Sequence, residues 1–399
     1  MNKKQHVVAL SLLLMITPCL IWAQKKELNQ ARSYIKSGKD KDLENAERLM
    51  TDLLKDQKNK DNKKIYLTWY DAVRGLYAQA NERMYLKQAQ DTAVFFDLNR
   101  RMFTILETLD SVEMRPDAKG RVNIEYRQKH AELLNSYRPN LFNAGTFFLR
   151  KNEWQKAFDY FEFYIDCDRQ PLFTDKAYKE SDKRMAEAAY WATYCGYKMQ
   201  NAVLTLRHRN LALQDTTKLS FTYQYIAEAR RWLNDQELYL NTLEEGFRHA
   251  PTFSYFFPRL IDAYIQKKQY EKALSLTDSV LEVCDSCEMY LYAKSTLLYR
   301  MERFEECFKV SDEVIALNPN QTEAYFNAGT AYLNIALKLD ERKDKKLLRQ
   351  LYQKARPYME HYRQLLPQEA KKWGPSLYRI YLNLNMGKQF DEIDRLLKK

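Results

Sequence analysis

Apolar residues along this chain recur three or four positions apart, the spacing of helices with one buried face, and strict alternation of the strand type is missing. In the block 254–287, Phe257, Leu260, Ile261 and Tyr264 form one stripe. Ala273, Leu274, Thr277, Val280 and Leu281 form a second, and the polar run Lys267, Lys268, Gln269 separates the two. Each block therefore predicts two amphipathic helices of about 12 to 15 residues joined by a turn. Pro251, Pro319 and Pro367 mark the ends of second helices, because proline disfavours helix at the preceding residue and cannot donate to the turn before it.

The blocks repeat. At a spacing of 34 residues, Phe257 falls on Leu291, Tyr270 on Phe304, Ala273 on Cys307 and Val280 on Val314, while Tyr223, Ile226, Gly246 and Pro251 extend the columns upstream and Tyr325, Ala328 and Gly329 extend them downstream. Small residues such as Ala227, Ser295 and Gly329 on first helices, and Ala273 and Cys307 on second helices, let two backbones approach closely. The repeats predicted are 138–171, 186–219, 220–253, 254–287, 288–321 and 322–369, the last with an insertion. Before them, 24–137 reads as a divergent N-terminal helical region, with stripes such as Ala46, Leu49, Met50, Leu53 and Phe95, Leu98, Met102, Leu106. After them, 370–399 reads as capping helices. The stripe from Tyr126 to Phe148 runs through Pro139, which predicts one kinked helix or two abutting ones. The period is broken by 14 extra residues at Gln170 to Met185 and by a charged insertion containing Asp340 to Lys346.

The columns Tyr325, Ala328, Gly329, Tyr332 and Leu141, Ala144, Gly145, Phe148, followed by Trp154, Ala157 and Phe161, resemble the tetratricopeptide repeat (TPR) family. The resemblance implies an all-α, right-handed superhelix, an α-solenoid of TPR-like helix pairs, whose first helices line a concave face and hold a protein or an extended peptide. On that template the groove residues are Tyr190, Tyr194, Tyr197, Tyr225, Arg259, Asp262, Tyr292, Tyr299, Phe326 and Asn327, together with Phe142 and Asn143. Tyrosine and arginine are the side chains that carry binding hot spots, although the same rings also suit helix packing. The family's lysine and asparagine clamp for a free C-terminus is absent from these columns.

Composition agrees with helices: only 9 glycines and 10 prolines occur in 399 residues, and 45% of residues are hydrophobic. Residues 1–23 stand apart. Lys3 and Lys4 precede an apolar run from Val7 to Ile16, then Pro18 and Cys19, which is the pattern of a signal peptide cleaved after Ala23. The chain is thus expected to be exported, most readily to the periplasm of a bacterial envelope, with secretion or outer-membrane association as alternatives. Pro18 stands where a lipobox needs a small residue before Cys19, which argues against lipidation.

The net charge of +11 is spread thinly among acids, with no basic stripe carrying placed aromatics, so nucleic-acid binding is not expected. Cys284 and Cys287 have the spacing of a redox pair, a possible disulfide, but helix flanks them on both sides where a thioredoxin-like site needs a strand before it. His130, His208, His249 and His361 are not spaced with acids or cysteines as a metal or hydrolase signature requires, and no glycine-rich phosphate loop or nucleophile elbow occurs. No cofactor, metal or catalytic residue is assigned, and the function expected is a non-catalytic interaction scaffold. The alternative is a peptide- or glycan-capturing accessory protein of an outer-membrane uptake or secretion system.

Overall fold

The three-to-four spacing becomes helix throughout: among the described residues, 24–117 and 119–398 of a computed structural model, there is no strand. The signal-peptide expectation for 1–23 lies outside the described residues. Two compact units meet between Asp235 and Gln236, inside the 220–253 block. The first carries α1 (24–37), α2 (Asp40–Leu53), α3 (Lys63–Tyr85), α4 (Thr92–Glu113), α5 (Arg127–Tyr137) and α6 (Pro139–Arg150). It continues with α7 (Trp154–Asp166), α8 (Tyr178–Ser181), α9 (Arg184–Lys198), α10 (Ala202–Arg207), α11 (Arg209–Ala212) and α12 (Leu219–Trp232). The second carries α13 (Gln236–His249), α14 (Phe256–Gln266), α15 (Tyr270–Leu281), α16 (Glu288–Arg300), α17 (Phe304–Leu317), α18 (Thr322–Leu337), α19 (Lys345–Leu365), α20 (Ala370–Asn383) and α21 (Gly387–Leu397). Both units are TPR-like stacks of helix pairs, in each of which successive long helices pack on one another.

In six of the pairs the reversal takes three residues, and the middle one is left-handed. Gln200, Asn234, Lys268 and Glu302 have φ of 52°, 56°, 55° and 58°, and they lie 34 residues apart. Asn152 and Asn385 occupy the same place after α6 and α20. The next amide reaches back five residues, from Asn201 N to Gly196 O (3.0 Å), Gln269 N to Tyr264 O (2.8 Å) and Arg303 N to Leu298 O (2.9 Å), which satisfies carbonyls that the helix end leaves open. The side chains of Asn62, Asp91 and Asn201 accept from amides in the first turns of α3, α4 and α10.

So tight a reversal lays two helices side by side, and small residues decide how close they come. A Cβ on Gly196 would lie 2.7 Å from Leu204 C and Thr205 Cα and closer still to Thr205 N, all backbone of α10. Gly145 and Gly329 instead face side chains, those of Phe161 and Met359. Around these contacts the first unit buries one aromatic-rich core from Tyr66 on α3 to Tyr225 on α12, with a satellite of Leu28, Ala31, Ala46, Met50 and Ile65 beneath α1 and α2. The second unit closes over Tyr362, Trp373, Leu377, Ile380 and Ile393.

Three departures from the expected regularity shape the first unit. The helices α3 and α4, of 23 and 22 residues, are longer than a repeat helix. The stripe through Pro139 resolves into two abutting helices with Pro139 opening α6, where its missing N–H costs nothing. Gln170 to Met185 folds into a 3-10 turn, Pro171–Lys176, and the single turn of α8, and it buries Leu172, Phe173 and Tyr178. Arg138, the one residue between α5 and α6, pins this insertion. Its guanidinium lies 3.7 Å from the ring centroids of both Tyr164 and Tyr178, pairs with Asp182 at 2.5 Å and donates to Tyr164 O at 3.1 Å.

Gly196→Ala is expected to force α9 and α10 apart and cost about 2 kcal/mol, lowering the melting midpoint by roughly 4 to 8 °C for a unit of this size. Gly387→Ala, whose Cβ would meet nothing within 4 Å, should leave the midpoint unchanged in the same circular dichroism melt.

Candidate interaction surface

Tyr190, Tyr194 and Tyr197 lie four and three residues apart, so they share one face of α9. Tyr225 of α12 sits at the centre of that face, its ring 6.1, 5.6 and 4.6 Å from theirs, the last a stacked pair. The rings continue outward: Tyr197 stacks on Trp232 at 5.8 Å, Trp191 and Trp154 each meet Tyr194 edge-on at 5.9 Å, and Phe221 lies 6.4 Å from Tyr225. Two ammonium groups overlie this patch. Lys198 Nζ is 5.4 Å from Trp154 and 6.0 Å from Tyr194, and Lys218 Nζ is 5.2 Å from Tyr190 and 5.9 Å from Trp191.

Burial sorts these rings into two classes. Tyr190 and Tyr225 are each only 6% exposed and belong to the core, contrary to their expected place in an open groove. The reason is geometric: Tyr190 lies on the face of α9 that α12 covers, and Tyr225 is the α12 ring that packs into that contact. Burial pushes the Tyr225 hydroxyl up, as does its hydrogen bond with Tyr190, whose own hydroxyl burial also raises. Tyr194, Tyr197, Trp191, Trp154 and Trp232 are half-buried, and Phe221 is 45% exposed.

In the second unit the expected residues lie on α14, α16 and α18, and all but Asn327 keep some exposure. Arg259 is half-buried over the Tyr255 ring, 3.9 Å from its centroid, and donates to Tyr255 O at 3.0 Å, while Asp262 is exposed. Tyr292 packs beside Leu291 and Val314, Tyr299 lies edge-on to Phe304 at 5.9 Å, and Phe326 lies 5.3 Å from Tyr362. Asn327, expected on the groove, is 6% exposed. It donates to Ser295 Oγ (3.1 Å) and Thr296 Oγ1 (3.3 Å), and Ser295 bonds Ser311 at 2.7 Å, so its amide satisfies polar groups where α16, α17 and α18 meet. Phe142 is likewise buried, between Phe161 and Tyr164, and only Asn143 of that pair is exposed.

The five described cysteines are free thiols, so the Cys284 and Cys287 pair is unbonded. Both lie in the turn between α15 and α16. Desolvation, Cys287 and Asp285 hold the Cys284 thiol above its ordinary range, whereas a redox-active cysteine needs it depressed. Burial pushes Cys195 up to about 12 and Cys307 to about 11. Among the described residues no three His, Cys, Asp or Glu side chains converge as metal ligands, and no helix is long and apolar enough to cross a membrane.

Phe221, Trp191, Trp154 and the two lysines went unassigned in the sequence. The i, i+4 spacing of Phe221 and Tyr225, and Trp191 following Tyr190, were the signals available.

No protein-family model matches the sequence, and no curated protein does. Among solved structures, the chain is similar to the C-terminal part of a TPR repeat-containing protein from Cytophaga hutchinsonii, at 14% identity over 63% of this chain and 92% of that one, with a TM-score of 0.42. It is also similar to YrrB, described as a TPR protein with an unusual peptide-binding site (16% identity, 48% and 92% covered, TM-score 0.36), and to yeast Tom70 (12% identity, 94% and 84% covered, TM-score 0.34).

Tyr225→Ala is expected to destabilise the first unit by about 3 to 5 kcal/mol, as deletion of a buried ring does, whereas Phe221→Ala should cost about 1 kcal/mol or less. Circular dichroism melts of the two variants check the assignment of core against surface.

Proposed function

We propose that this protein is a non-catalytic scaffold of TPR type that holds another protein or an extended peptide, and that it works in the bacterial cell envelope. The observation that carries the reading is the α9 and α12 face, where half-buried aromatic rings are flanked by Lys198 and Lys218. Such rings offer large contact area while freezing few rotors, and the fold already holds them in place, so little ordering is left to oppose association. The exposed ammonium of Lys198 favours a partner segment that presents an acid beside apolar side chains, whereas Lys218 is already paired with Asp215 at 3.2 Å.

The envelope setting rests on the charged start and short apolar run of residues 3–21. N-terminal sequencing of protein taken from its native cells should begin at Gln24, and a cytoplasmic chain retaining Met1 would refute export.

The scaffold is tested with a photo-reactive phenylalanine placed at Phe221 in native envelopes. A discrete adduct of one size is expected, and Tyr194→Ala combined with Lys198→Glu should reduce it at least tenfold while circular dichroism still reports a folded helical array, since a true anchor is worth about 2 kcal/mol or more. Undiminished capture by the double variant would move the working surface away from α9.

A further inference from the structure

Both irregularities of the repeat at 186–219 converge on one place. The second helix of that repeat is broken at His208, between α10 and α11, and the first helix is preceded by the insertion carrying α8. A half-open cavity of about 330 Å³ lies where the two meet, with Ile165, Met185 and Leu211 as its apolar floor. This is within the size of metabolite sites. Its polar lining comprises Arg169, Lys179, Arg207, His208, Asn210 and Gln214, with Asp168 as the one acid.

The cations keep donors to spare. Arg169 spends one terminal nitrogen on Asp166 at 3.1 Å, and Arg207 spends one on Glu162, out of five N–H donors each. Asp168 accepts from the backbone N of Lys179 at 2.9 Å, which seats that lysine at the rim, and no ion pair joins its ammonium group to a described carboxylate within 4.0 Å. His208 is only 5% exposed, and its Nε2 has no hydrogen-bond partner, with Glu162 Oε1 nearest at 3.7 Å. Burial holds this imidazole below its ordinary range in spite of Asp166 and Glu162 nearby, so at neutral pH it is uncharged and offers one donor and one acceptor. A buried polar group left unsatisfied is costly, and one that lines a cavity beside Arg169, Lys179 and Arg207 is explained when an occupant completes it.

We propose that this cavity binds a small anion bearing phosphate or carboxylate groups, with Arg169, Lys179 and Arg207 opposing its charge and His208 as the buried polar member of its lining. The site is separate from the aromatic face and does not depend on the scaffold reading. The break at His208 and the insertion are then the features that turn a repeat into a receptor for a small molecule.

The test follows the imidazole signals of the full chain, which has five histidines, by ¹³C-edited NMR, with His208 assigned through His208→Gln. Inorganic phosphate, citrate and glucose are titrated separately at constant ionic strength. A saturating His208 shift with phosphate or citrate, absent with glucose, is expected, and the anion that saturates identifies the headgroup. Arg169→Gln with Lys179→Gln, both on exposed side chains, should weaken that binding at least tenfold without moving the melt. Lys179→Glu alone gives a second variant with the same expected loss. A His208 signal that stays still or drifts without saturating, that responds equally to glucose, or that saturates unchanged in both variants overturns the proposal.

Discussion

Most helix pairs in this protein, though not α18 and α19 with their longer connection, depend on reversing the chain in three residues. That is possible only when the middle residue turns left-handed, a conformation that costs an ordinary L-residue roughly 1 kcal/mol. The chain places Gln200, Lys268 and Glu302 there, not glycine, and offsets the strain with an amide that reaches back to the fifth carbonyl before it. Once the reversal is made, the paired axes lie so close that small side chains become obligatory at the crossing. Gly196, whose Cβ would collide with α10 backbone, is the extreme case. The 34-residue period, the small-residue columns and the burial pattern are consequences of that one turn.

Regularity of this kind makes the exceptions informative. Arg138 lies between two abutting helices, where a repeat needs no charge, and its guanidinium between two tyrosine rings anchors an insertion that would otherwise be a surface loop. In the second unit, the polar cluster of Asn327, Ser295, Thr296 and Ser311 occupies a crossing that aliphatic residues could have filled. Polar groups buried with their bonds satisfied select one packing over its neighbours in register, because a slipped helix would strand each of them.

Aromatic content carries two roles at once. The rings Tyr190 and Tyr225 form the floor on which Tyr194, Tyr197 and the tryptophans rest, so a surface with high contact area is stiff because its lower layer is core. Lys198 and Lys218 lean across the rings and keep the face wet at its edge.

Helix type, the pairing of helices and their period were determined by the sequence alone, because each follows from spacing along one chain: apolar residues at 3.6-residue intervals, a small residue where backbones cross, proline two residues past a helix end. The helices α13, α17 and α19 indeed stop at His249, Leu317 and Leu365, ahead of Pro251, Pro319 and Pro367. What spacing could not decide is which neighbour covers a given face. Tyr225 and Tyr194 are both tyrosines that the template assigns to the inner face, yet one is core and the other is half-buried, since that depends on where α12 lands on α9. Asn327 read as a groove residue for the same reason, and the cavity beside His208 could not be read at all. It arises from a helix break and an insertion that are adjacent only in space, and burial, unlike periodicity, is a property of the packed pair and not of either helix.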